Sequence, residues 1–195
     1  MNTVPEALKD VDHAFRHLEF AIRLMCYCEL DHLDREKFDT DVSILLEREN
    51  VSFPSGTFTD TQATIPAAQA LVGVCFGVTA IVLDVAFDVA GLKNKPSSRL
   101  DADELRTLVR MVRCAFAHNP AMPIWEARGS DYSRHLSFTV GDASVSVDLA
   151  SLHEQPFEYD QIGGFGSWLR VRAAAVSLIS AAQQAAAADG AVRRG

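Results

Sequence analysis

The run from Ala67 to Ala90 sets the strongest condition on any fold this chain adopts. Apolar residues fill almost every position, and its only charges, Asp84 and Asp88, come in the last two turns. Pro66 ahead of it suits a first helical turn, and Gly91 behind it suits a stop. A helix of this length is nearly long enough to cross a bilayer. Yet carboxylates are costly in lipid, small residues recur along the run, and no basic anchors flank its start. The expectation is a core helix around which others pack, with no membrane partner.

Periodicity places the neighbours. Leu8, Val11, Phe15, Leu18, Ile22, Met25 and Cys26 step by threes and fours, a single stripe on a helix from about Pro5 to Leu33. The charge-rich stretch Asp34 to Glu49 either extends that helix or opens a short second one through Val42, Leu45 and Leu46, and residues 51–61 read as a loop. Asp101 with Glu104 forms a candidate capping box for a helix whose apolar face is Leu105, Leu108, Val109, Val112 and Phe116. Pro120 drives Asn119 out of helical geometry, so that helix stops near His118. The period then changes to two, in Ile124-Trp-Glu-Ala, Leu136-Ser-Phe-Thr-Val and Ser144-Val-Ser-Val-Asp-Leu, with a turn at Gly141-Asp142. A final helix follows from about Gly166 to Ala188, its alanine-rich end and Arg193-Arg194 fraying. The fold class expected is mainly α: an up-and-down helical bundle with a small antiparallel β-hairpin or meander before the last long helix. One domain should span residues 1–195, with the β insertion at about 124–149.

The hydrophobic fraction of 48% excludes a disordered chain. The four cysteines, Cys26, Cys28, Cys75 and Cys114, sit inside apolar helical patterns and read as buried reduced thiols of a cytoplasmic protein. The first ten residues have neither a basic start nor an apolar run, so no signal peptide is expected. A net charge of −8 argues against a surface that coats nucleic acid in general. Its distribution is uneven. From Lys93 to Arg134 eight basic residues face five acids, a local +3 that leaves −11 for the remainder.

Within that basic stretch lies Arg113-Cys-Ala-Phe-Ala-His118-Asn119-Pro120. It combines an obligate cation with a forked donor set, a group that titrates near neutrality and a helix end. Read as Arg-x4-His with an Ala-His-Asn-Pro ending, the string resembles the motif of the HEPN superfamily, small helical domains of which many are ribonucleases. The resemblance implies a homodimer with a composite site and metal-independent cleavage of RNA by 2′-hydroxyl attack. His118 would act as general acid or base and Arg113 would hold the phosphate. It also implies a toxin or anti-phage defence setting, with an antitoxin or regulatory protein as a further partner and no cofactor. Five helical steps leave Arg113 and His118 roughly 140° apart. A common site therefore needs either a helix that ends between them or a second copy. Cys114 departs from the polar residue usual after the motif arginine, and the β segment has no counterpart in the minimal fold. These departures keep a non-catalytic nucleotide-, RNA- or protein-binding module as the alternative, and a purely structural dimer through the long apolar helix as a third reading.

Asp84 and Asp88 share a helix face four residues apart, and buried carboxylates require partners. One of them is expected to accept a hydrogen bond from Arg113 or Arg110 and orient it, unless both face solvent or the loop at Lys93. Asn119 supports the motif. His13 and His17 have metal-ligand spacing but no third ligand at a recognisable spacing, and Cys26-x-Cys28 lacks a second pair, so no metal is expected. Trp125, Tyr132 and Phe138 are candidates either to stack a base or to pack the β segment. Gly163-Gly164-Phe165-Gly166 lacks the lysine and serine of a phosphate loop and reads as a flexible lead-in to the last helix.

Overall fold

A computed structural model describes residues 3–192, with side chains to residue 188. Arg193 and Arg194 lie outside the described residues. The chain is mainly α-helical. Its elements are α1 (Val4–Glu29), α2 (Arg35–Phe38), β1 (Val42–Leu45), β2 (Asn50–Phe53), α3 (Thr61–Val89), α4 (Asp101–Ala117), β3 (His135–Val140), β4 (Ala143–Asp148), α5 (Leu149–Leu152) and α6 (Gly164–Val192). Two compact units emerge, Met1–Phe15 with Phe76–Gly195, and Arg16–Cys75.

In the larger unit the core is aromatic. Phe76 is fully buried and meets Phe116, Phe157, Tyr159, Phe165 and Trp168 at ring-centroid distances of 5.0–5.9 Å. Burying one such side chain contributes about 1.5–3 kcal/mol. Gly77 beside it lets α4 approach closely, since a Cβ there would lie 2.7 Å from Phe116 Cδ1. Two of the polar groups drawn into this core pair with each other. Trp168 Nε1 donates to Thr79 Oγ1 at 2.9 Å, and that hydroxyl donates to the Phe76 carbonyl at 2.6 Å.

β3 and β4 pair antiparallel with His135 opposite Asp148 and Val140 opposite Ala143, closed by the Gly141-Asp142 turn in which Gly141 takes φ +55°. Leu136, Phe138, Ala143, Val145 and Val147 face inward, as the alternation requires. Ile124-Trp-Glu-Ala is not a third strand: it makes one isolated bridge, Ile124 to Pro156.

The smaller unit corrects the reading of residues 34–61. α1 stops at Glu29 rather than near Leu33, because Asp31 takes φ +56° and its neighbours close a left-handed cap (His32 N–H to Tyr27 O, 2.9 Å). Beyond α2 the chain forms the hairpin β1–β2 in place of a second helix through Val42, Leu45 and Leu46. Val42, Ile44, Leu45, Leu46 and Phe53 are all exposed on it, so no buried face enforces the period that would have marked it as a strand pair. Asp39 accepts the N–H groups of Gly56, Thr57 and Phe58 at 2.8–3.3 Å, ordering the loop that follows. The Ser55 N–H donates to Asp41 at 2.7 Å and holds that carboxyl below its ordinary range.

Three helix boundaries also move. α3 begins at Thr61, not near Pro66, because the Asp60 carboxylate accepts the Ala63 N–H at 2.9 Å and caps it earlier. It closes as expected, on Gly91 at φ +74°. α4 has Leu100 at its cap with no side-chain bond, and the capping box is absent. The Asp101 carboxylate instead accepts the Thr139 N–H at 3.2 Å, and the buried Glu104 pairs with Arg134 at 2.7 Å. The last helix starts two residues before Gly166 and extends past Ala188.

Candidate functional site

Three guanidinium groups rise on successive turns of α4 at Arg106, Arg110 and Arg113, all toward α3. Asp84, 4% exposed, is their common partner. Arg106, 3% exposed, donates to Asp84 and also to Asp88 (2.9 Å) and the Leu92 carbonyl (3.2 Å). Arg110 donates to Asp84 Oδ2 at 3.0 Å, while Arg113 Nε stands 3.9 Å from the same oxygen. Burial disfavours the Arg110 charge, but attraction to Asp84 and the hydrogen bond it donates to that carboxylate outweigh it and hold the guanidinium above its ordinary range. Three cations against two carboxylates leave one positive charge. Arg113, its side chain 38% exposed and the most loosely paired, carries it outward. The expected Arg110–Asp84 contact is present. Arg106, the most completely paired of the three, was not singled out by the sequence.

His118 is the C-terminal cap residue of α4, still at helical φ −96° and ψ −39°. The helix therefore does not unwind between the two motif residues, and His118 does not swing back toward Arg113. Its imidazole is 78% exposed and faces Glu126 Oε1 at 3.5 Å. His118 lines a cavity of about 240 Å³ together with Asn119, Glu126, Arg128, His153 and Glu154. Arg113 is not part of that lining. Asn119 Oδ1 accepts the Ala121 N–H at 3.1 Å, which fixes the turn carrying the chain into the cavity wall.

That wall has a rigid frame. Ile124 N–H bonds to the Ala115 carbonyl at 3.2 Å, Trp125 N–H to Gln155 O at 3.0 Å, and Glu154 N–H to Trp125 O at 2.9 Å. Glu126 and Arg128 flank the buried Ala127 on one side, and His153 and Glu154 come from the turn after α5. Sequence reading missed Glu126, Arg128, His153 and Glu154. His153 is 35 residues beyond His118, and the backbone bonds around the Ile124–Pro156 bridge bring the two segments together.

Other candidates resolve differently. Trp125 and Phe138 are buried and cannot stack a base, and the half-buried Tyr132 hydroxyl accepts from Asn94 at 3.1 Å. His13 and His17 are both exposed, and among the described residues no three His, Cys, Asp or Glu side chains group as metal ligands. All four cysteines are free, but only Cys28 is buried: Cys75 and Cys114 are half-buried and Cys26 is exposed. Burial pushes the Cys28 and Cys75 thiols up. Gly163 and Gly164 take φ +84° and +76° after the short 3-10 turn Tyr159–Ile162, and Phe165 stacks on Tyr159 at 4.3 Å, so this lead-in is packed rather than flexible.

Comparison with protein-family models, with characterised proteins and with solved structures returns no match to this chain.

Proposed function

We propose that this protein is a HEPN-like, metal-independent endoribonuclease that acts as a homodimer. The observation that carries the reading is the loosely paired charge of Arg113, 3.9 Å from Asp84 and presented toward one end of α4, with the exposed imidazole of His118 at the same end. A guanidinium fork suits bidentate binding of phosphate, and an exposed imidazole can transfer a proton. Because the two groups diverge around the helix within one chain, a composite site requires Arg113 of a second copy beside His118 of the first. Val78, Ile81 and Val85, spaced by three and four on α3, are exposed and apolar. No charged residue lies between Asp60 and Asp84, so two acidic chains can meet along this helix without repulsion. A cytoplasmic toxin or anti-phage effector restrained by a regulatory protein is the setting that the motif's resemblance favours.

The test is purified protein incubated with end-labelled cellular RNA in EDTA, beside His118→Ala. Discrete fragments ending in cyclic phosphate from the wild type alone are expected. The divergence of Arg113 from His118, with Cys114 next to the arginine, favours the second reading, a binding module that holds RNA or nucleotide without cutting it. RNA retained at equal affinity by both proteins, with no fragments, would select it.

A further inference from the structure

His153 enters the His118 cavity from a part of the chain that the motif does not include. Glu154, next to it, takes φ +64°, a conformation that costs a non-glycine residue free energy and persists only when its surroundings impose it. Here the Glu154 N–H donates to the Trp125 carbonyl, which holds the backbone next to His153 in place. His153 Nδ1 is buried and has no hydrogen-bond partner in the protein. A buried orphan polar atom is rare, and here it belongs to a side chain that lines the cavity. Each imidazole stands beside a carboxylate, His118 Nε2 at 3.5 Å from Glu126 and His153 Nε2 at 3.9 Å from Glu154. Arg128 is exposed, lines the same cavity and has no ion-pair partner among the described residues. It is the one cation of the cavity available to an anion.

We infer that His153 is the second proton-transfer residue of the site and that Arg128 binds the phosphate there, so that each chain holds a complete acid–base pair around one phosphodiester. The inference rests on the ribonuclease reading above and names what that reading lacks. Cleavage by a 2′-hydroxyl forms the O2′–P bond and breaks the P–O5′ bond. One imidazole takes the 2′ proton, and the protonated one gives its proton to the leaving O5′. The products are a 2′,3′-cyclic phosphate and a 5′-hydroxyl, and solvent restores both imidazoles. A single histidine cannot do both at once, whereas His118 and His153 together can. The second copy then has only to add the charge of Arg113.

The test uses RNA with an ordinary 5′-oxygen leaving group and the same RNA with sulfur at that position. A thiolate departs without a proton, so removing the general acid no longer matters. On ordinary RNA, His153→Ala and His118→Ala should each lose roughly 10²–10⁴-fold in rate. On the sulfur substrate one of the two variants, and only one, should recover to near the wild-type rate. His153→Gln, which retains a polar side chain, guards against a folding defect and should behave as His153→Ala does. Wild-type rates in the His153 variants, or rescue of neither or both histidine variants, would overturn the assignment. If the wild type cuts neither RNA, the ribonuclease reading fails by itself. Titration with inorganic phosphate, followed by imidazole NMR, then decides the site. Joint shifts of His118 and His153 that vanish in Arg128→Ala uphold a shared phosphate site, and unshifted imidazoles overturn it.

Discussion

Asp84 shows how one residue governs its neighbourhood. Its carboxylate is buried and is shared by Arg106, Arg110 and Arg113, so removing a partner matters more than the energy of any one contact suggests. Arg106→Met should destabilise the fold by about 3 kcal/mol in urea unfolding, since it strips the buried partner from Asp84. Adding Asp84→Leu should restore most of that loss, because an apolar pair of similar volume is tolerated. The double variant should nevertheless lose phosphate-dependent function, since nothing then holds Arg113. A second residue-level effect concerns alkaline pH. Burial, with a smaller contribution from Glu158, raises the Tyr159 phenol above its ordinary value. The folded state keeps this proton longer than the unfolded state does. Its stabilising share is therefore intact below pH about 10 and declines as pH rises from there through the raised value. Tyr159→Phe should flatten that alkaline decline in unfolding experiments.

Among the elements, α3 and α4 depend on a close approach at Gly77. A Cβ at that position meets Phe116 Cδ1 at 2.7 Å, and the ring is fixed by Phe76 and Phe157. Gly77→Ala should therefore cost about 1–3 kcal/mol by overpacking despite improving helix propensity. Phe116→Leu in the same chain should relieve part of it, a coupling that a double-mutant cycle reads directly. The helix was legible because its composition leaves few alternatives, and so was β3–β4, whose buried face forces strict alternation. β1–β2 was not. With Val42, Ile44, Leu45, Leu46 and Phe53 exposed and Val51 only half-buried, no buried face imposes a period, and a short helix fitted Val42, Leu45 and Leu46 equally well. The capping box failed for a related reason. Glu104 has a better partner in Arg134, thirty residues away in sequence, than in its own helix end.

For the whole molecule the open question is assembly. If α3 joins two copies, Ile81→Glu should shift sedimentation from dimer to monomer without unfolding the chain, because Ile81 is exposed. Loss of cleavage in that monomer, with recovery on mixing Arg113→Ala and His118→Ala subunits, would tie activity to a composite site. An unchanged sedimentation profile would place the contact elsewhere.

Composition and period by themselves determined the helical class, the end of α4 at His118, the hairpin turn at Gly141 and the conjunction of Arg113 with His118 in a basic stretch. Each is a local property, decided by neighbours within a few residues. Tertiary structure alone decided that Asp84 serves three arginines, that Trp125 is core, and that His118 shares a cavity with His153 and Arg128 rather than with Arg113. Those outcomes depend on which distant segments share a volume, and chain closure at Ile124 and Pro156 sets that, with no trace in the spacing of the residues it brings together.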